Sequence, residues 1–366
     1  MYILVHRVLS YSPQPYISNV LGKYMISYIK KSPICLGGFL ALVLLLSCFC
    51  GLMLGYVNLS ACNVWSCLLF PRQGDDVTAV IWDLRLPRVI LAAAAGMGLS
   101  LSGVVMQAMF RNPMAGPYIM GVSSGAALGV IMSVFLGAGA VLGAGAVGTG
   151  AFCGALALSF LIASMAGRRQ GNSSFLLILG VALSAVSSGL TSVIIFAGAN
   201  SSGIDVTLYW MMGSVAFAKL ASSSFLLLLV ILISLFFVSQ SRVLNLMMEG
   251  EESAIPLGIR LVPFIRLYLI INAILVGAVV MEAGLVGFVG LIVPHFVRMV
   301  IGAEHRRLVP VSVICGGILT VWADIAGRCL IPGQDIPIGV MLAFIGAPVF
   351  IGMLLKKTYR FGGEQE

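Results

Sequence analysis

The stretch Gly284–Arg307, GLVGFVGLIVPHFVRMVIGAEHRR, decides how this chain is read. It runs apolar and glycine-spaced, meets Pro294-His295, and stops on His305, Arg306 and Arg307. A soluble helix this hydrophobic would have no polar face to offer water. A membrane helix reaching a cytoplasmic surface ends on basic residues in this way. The rest of the chain agrees: of 366 residues 60% are hydrophobic and 9% charged, with mean hydropathy +1.08. Soluble domains carry about 25% charged residues, so lipid must be the solvent for most of this one. The fold class expected is all-α and polytopic.

A span needs about 20 apolar residues. Runs bounded by charge, Pro or Asn give ten transmembrane helices, near 33–56, 86–109, 117–136, 140–165, 174–198, 222–240, 264–283, 285–301, 309–330 and 337–355, the eighth being short. Residues 205–218 are too short to cross and are expected at the interface, where Tyr209 and Trp210 are at home. The organisation predicted is an N-terminal tail over 1–32, a transmembrane domain over 33–357 and a C-terminal tail over 358–366. The first 32 residues are polar and basic, so no cleavable signal peptide is expected, and Met25 is an alternative start.

Lysine and arginine set the orientation. With the N-terminus inside, 16 of the 21 basic residues fall in inner segments and five, Arg72, Arg85, Arg88, Lys219 and Arg328, in outer ones. That bias places both termini in the cytoplasm and makes the outer arginines the anomaly to explain. The net charge of +8 is dispersed over short loops, not gathered in one patch, which argues against a nucleic-acid partner.

Several motifs limit the chemistry. No Walker A sequence is present; the one Gly-Lys pair, Gly22-Lys23, precedes Tyr24, so energised transport would draw on another subunit or an ion gradient. The eight cysteines lack metal-ligand spacing; Cys62 and Cys67 share a loop, as a disulfide or as two thiols. Gly121–Gly125 matches the GxSxG nucleophile pattern but opens an apolar helix, where it reads as small residues at a packed start. Asp324 and Arg328, four apart, share a helix face and can pair; the alternative is a proton relay through Asp324, as in an ion-coupled secondary transporter. The loop 241–262, with Glu249, Glu251 and Glu252 ahead of Leu257-Gly258, reads either as a docking helix beneath the membrane or as a solvated loop. Arg85 and Arg88 are fixed positive points on the outer side, suited to an acidic partner, an anionic substrate or lipid phosphate.

Taken in order, Arg85-Leu86-Pro87-Arg88, Ser102-Gly103 through Gln107, Arg111–Pro117, Gly121–Ala126, Tyr209–Gly213, Gly287–His295, His305–Arg307, Ala323-Asp324, Ile336–Gly339 and Gly346–Pro348 resemble the FecCD or BtuC-like permeases of binding-protein-dependent ABC importers for iron-siderophore, haem and cobalamin. The resemblance runs from about residue 33 to 357. It implies a homodimer with the substrate path on the two-fold axis, two cytoplasmic ATP-binding subunits, an extracytoplasmic solute-binding protein and a bacterial or archaeal cytoplasmic membrane. ATP would be used by the partner subunits, with no cofactor or metal in this chain. Arg85, Arg88 and Arg328 match positions that meet glutamates of the binding protein. Glu251, Glu252, Ser253, Ala254, Leu257 and Gly258 match the coupling helices seated in the ATPase. Asn112, Met114, Ser173 and Ser174 match positions narrowing the cytoplasmic end of the path. Two positions depart from the pattern: Gly116 stands where an acid is frequent, and Glu282 where an apolar or small residue is common.

Overall fold

The run Ala92-Ala93-Ala94-Ala95-Gly96 lies in the helix around which the others assemble, because side chains this small let neighbouring backbones come close. A computed structural model describes residues 33–71, 74–138, 145–166, 173–198 and 201–355. The helices, in chain order, are α1 Pro33–Met53, α2 Ala61–Leu69, α3 Asp76–Met109, α4 Val122–Phe135, α5 Ala146–Ala166, α6 Ser173–Gly198 and α7 Ser201–Met211. They continue with α8 Leu220–Ser239, α9 Ser241–Glu249, α10 Glu251–Ala254, α11 Leu261–Ala283, α12 Val289–Ile301, α13 His305–Cys329 and α14 Ile338–Leu355. A 3₁₀ turn, Ile255–Leu257, extends α10.

Among the described residues seven helices, α1, α3, α5, α6, α8, α11 and α13, are long and apolar enough to cross a membrane, and α4, α12 and α14 are shorter apolar helices. Each of the ten predicted spans coincides with one of these. The tails, the alternative start at Met25, Arg72, the inner basic residues Arg168 and Arg169, and Lys356, Lys357 and Arg360 lie outside the described residues.

The central helix is α3. Its apolar window is 89% buried, against 17% for α1 and 11% for α6, and α13, α8, α12, α11 and α1 all pack on it. Gly103 meets Gly290 of α12 so closely that an added Cβ would come 1.8 Å from the Gly290 carbonyl oxygen. Three α3 contacts add hydrogen bonds across this tight packing: Thr320 Oγ1 donates to Ala92 O (2.7 Å), Ser100 Oγ to Ser312 O (2.7 Å), and Gln107 Nε2 to Leu291 O (3.1 Å). In lipid such bonds and close contacts hold helices together, since the tails are as apolar as leucine.

Three sequence expectations need adjusting. The second span begins at Asp76, ten residues before Leu86, and passes through a π-helical stretch, Val80–Arg85. The third begins at Val122 and not at 117, because Gly121 is left-handed (φ 70°) and ends a series of turns. The eighth begins at Val289, since Gly284 (φ 67°) and Phe288 (φ 65°) both leave the helical region. Unwound backbone is tolerated at membrane depth only where protein satisfies it. Here Tyr118 does so: its hydroxyl donates to Val286 O (3.0 Å) and accepts from Val286 N (3.2 Å). Ser214 N reaches Ala283 O at 2.9 Å. The GxSxG stretch is a packed helix start, with Ser124 Oγ donating to Gly121 O and Gly125 against Gly154 of α5. Residues 205–218 form the end of the short α7 and the turns after it.

Candidate functional site

Two ends of α3 carry the chemistry. The 24 residues Leu86–Met109 rise about 36 Å, so Arg85 and Arg88 at one end are a bilayer's thickness from Arg111 and Asn112 at the other.

At the Arg88 end the three predicted arginines do come together, and the structure gives each a specific task. Arg88 Nε donates to Asp324 Oδ1 at 2.8 Å and Nη1 to Asp335 Oδ2 at 2.8 Å. Arg328 Nη2 meets Asp324 Oδ2 at 3.0 Å. The remaining bonds go to backbone. Arg85 Nη1 donates to Leu52 O (2.7 Å) and Met53 O (2.9 Å), with Nη2 on Val57 O, and Arg328 donates to Gly51 O and Leu54 O at 3.2 Å each. The last carbonyls of a helix have no intrahelical donor and carry partial negative charge. Arg85 and Arg328 therefore cap the C-terminus of α1. The sequence reading expected Arg328 to pair with Asp324, as it does, and offered Arg85 and Arg88 as fixed positive points for a partner; the structure buries Arg85 and Arg328 to 7% exposure and Asp324 to 2%. Asp324 is thus the neutralised partner of two guanidinium groups. Asp335, in the loop before α14, is half exposed. Around them a cavity of about 460 Å³ is lined by Arg85, Arg88, Arg328, Asp335, Tyr56 and Ala216 among others.

Glu282, at the same end of α11, accepts a hydrogen bond from Ser222 Oγ of α8 at 2.7 Å. Cys62 and Cys67 are unpaired: Cys62 is exposed on α2, while Cys67 is buried and receives Thr78 Oγ1 at 3.6 Å.

The opposite end is built differently. The amphipathic α9 buries Leu244 and Met247, turns at Gly250 (φ 105°) and leads into α10. There Ala254 is fully buried and serves as the footing, while Glu251, Glu252, Ser253, Leu257 and Gly258 are exposed. Gly258 closes the 3₁₀ turn in the left-handed region (φ 72°). Ile255 and Leu257 stand 66% and 62% exposed at the tip. Sequence reasoning missed Ile255, although an apolar residue ahead of Pro256 in an acidic loop was the available signal.

The residues expected to narrow the path lie toward this end. Arg111 is left-handed (φ 48°), and its guanidinium lies over Gly250, where an added Cβ would come 2.7 Å from Nη1. Asn112 Oδ1 accepts from Met114 N at 2.8 Å, an Asx turn that leaves Met114 exposed. Gly180 packs α6 against Ile119 and Met120, so Ser174, exposed about two turns earlier, is at the same end; the Ser173 side chain is outside the described residues. Among the described residues no group of His, Cys, Asp and Glu could hold a metal ion.

Comparison with known proteins agrees with this geometry. Residues 42–356 match the FecCD transport family. The chain is 35% identical over 333 residues to the hemin transport system permease protein HmuU of Yersinia pestis, covering 89% of this chain and 97% of that one. It is 39% identical over 278 residues to the vitamin B12 import system permease protein BtuC of Salmonella typhi, covering 76% and 84%. A solved structure of a metal-chelate type ABC transporter in an inward-facing conformation superposes with TM-score 0.76 at 30% identity, over 89% of this chain and all of that one. Helix order, a buried arginine–aspartate cluster at one end, a protruding knob at the other and a family match through most of the chain lead to one conclusion: this polypeptide belongs to the FecCD transport family, as a multi-pass ABC importer permease and not an enzyme.

Proposed function

We propose that this chain is the membrane subunit of a binding-protein-dependent importer that carries an iron chelate, a siderophore in the first instance with haem and cobalamin as alternatives, inward across a bacterial or archaeal cytoplasmic membrane. The observation that carries the proposal is the α10 knob. Two large apolar side chains, Ile255 and Leu257, stand exposed among glutamates on a buried alanine footing. At a polar end such a pair costs free energy unless a partner covers it. A separate ATP-hydrolysing subunit is the partner proposed, and this end is then cytoplasmic, in keeping with the lysine and arginine bias and with both termini inside.

The mechanism proposed is alternating access. Closure of the ATPase pair moves the two knobs of a homodimer, and the helices rock to open one gate and shut the other. Exposed apolar side chains along α6, such as Ile178 and Val181, and on α14, such as Phe344, support a second copy packing there. Asn112, Met114, Ser173 and Ser174 would narrow the inner end. The hemin and vitamin B12 permeases it resembles support a bulky chelate as cargo. The cavity at the opposite mouth, beside Arg85, Arg88 and Arg328, supports docking of an acidic side chain of a binding protein on Arg88, since Arg85 and Arg328 are buried and spend their donors on the carbonyls of α1. Arg88 is the one to exchange partners, since Asp335 is half exposed and can be displaced.

Co-purification with a candidate ATPase in detergent tests the proposal, followed by uptake into liposomes with ATP and a binding protein. Uptake driven by an ion gradient with no ATPase present would overturn it in favour of secondary transport through Asp324.

A further inference from the structure

We infer that Asn245 and His305 form a joint through which the α10 knob moves α13 and the charge cluster at its far end. The inference rests on the reading of α10 as the ATPase-docking segment, and goes past it by naming the residues that carry the displacement onward.

His305 is the first residue of α13 and is fully buried. Its backbone N–H has no intrahelical acceptor, as at any helix start, and Glu304 before it makes no capping hydrogen bond with its side chain. The acceptor comes from another helix. Asn245 Oδ1 of α9 lies 3.0 Å from His305 N and 2.6 Å from His305 Nδ1. A backbone N–H can only donate, so the Asn245 atom facing it is the oxygen and not the amide nitrogen. The same oxygen faces Nδ1, so Nδ1 carries the ring proton. One side chain thus caps α13 and fixes the orientation of its first imidazole.

This bond lies on one of the two routes out of the knob, the other being the direct link through Gly258 and Arg260 to α11. α9 leads into the knob through the single residue Gly250 and packs against it, and Leu244 and Met247, on either side of Asn245, are buried in the core. α13 is a 25-residue helix packed along α3, and at its far end Asp324 and Arg328 hold Arg88 and the C-terminus of α1. A push on α10 is therefore delivered to one end of a rod whose other end carries the charge cluster at the outer mouth. The pair of hydrogen bonds to one oxygen adds a fixed polar register to the packing of α9 on α13.

The test uses the assembled transporter, with binding protein and ATP, in liposomes, every value normalised to complex recovered with its ATPase. Asn245→Ala removes the acceptor and lowers uptake about tenfold, whereas Asn245→Asp keeps an oxygen there and holds uptake within about twofold of the wild type. Asn245→Cys combined with His305→Cys, in a chain with its eight native cysteines replaced, gives low uptake when reduced and recovers when the two thiols are joined by oxidation or a short bis-thiol reagent. Loss of uptake in the reduced form with thermal unfolding and complex recovery close to the wild type separates the joint from a merely structural bond. Wild-type uptake in Asn245→Ala, or a joined form as inactive as the reduced one, overturns the inference. A wild-type complex that moves no cargo with ATP overturns the reading of α10 first, and this inference with it.

Discussion

The two ends of the bundle solve opposite problems. At the Arg88 end the clustered charges find partners within the chain: Arg88 and Arg328 share Asp324, Asp335 pairs with Arg88, and Arg85 and Arg328 cap α1. At the α10 end the chain leaves Ile255 and Leu257 uncovered on a rigid footing. The first arrangement holds shape; the second is the surface proposed for another protein. A charge that looks free in sequence can be spent internally, while an unremarkable pair of aliphatic residues can be the surface that partners recognise.

The sharpest way to break this contrast is Asp324→Asn. Removing one partner of a buried ion pair costs about 3–5 kcal/mol, since the other charge remains buried, and here two arginines lose their carboxylate. Thermal unfolding in detergent is expected to show that loss. A variant as stable as the wild type but dead in transport would mean that Asp324 works by titration, as in a gradient-driven carrier. At the other end, Ile255→Glu with Leu257→Glu is expected to leave the unfolding temperature unchanged, because both side chains are exposed. It should abolish ATPase co-purification, buried apolar anchors being worth about 2 kcal/mol or more each at an interface. Retained co-purification would shift the docking surface away from the knob.

Smaller effects sharpen the Arg88 end. Asp335→Ala frees one side of Arg88 without touching Asp324. Binding-protein affinity is expected to rise severalfold, an effect of about 1 kcal/mol for a half-exposed pair, measurable by titration in nanodiscs. Weaker binding would make Asp335 part of the docking surface and not a competitor. Arg88→Glu is expected to weaken docking, whereas Arg85→Glu should act chiefly by uncapping α1, read as lost stability. Smallest of all, Glu282→Gln keeps an acceptor for Ser222 and is expected to change uptake less than about twofold, one retained neutral hydrogen bond being worth about 1 kcal/mol. A larger loss would assign Glu282 to the cargo path.

Legibility differed by region for a physical reason. The ten apolar segments could be read because lipid imposes length and composition on each helix separately. Breaks at Gly121 and Gly284 blurred the boundaries, since an apolar glycine-rich stretch is compatible with helix until a neighbour such as Tyr118 satisfies the unwound backbone. The Asp324–Arg328 pair, four residues apart on one helix, was legible; the link from Arg88 to Asp324, 236 residues away, was not. Ile255 was passed over because exposure is a property of the fold, and Asn245 because its bond to His305 joins helices distant in sequence.

By itself the sequence determined the solvent, the number and order of the apolar helices, and the residue types that gather at each end. These follow from local composition, on which a bilayer acts one segment at a time. Only the tertiary structure decided which charges neutralise one another, which helix ends are capped by side chains from elsewhere, and which apolar groups remain uncovered. Those depend on distances between segments, which composition does not encode.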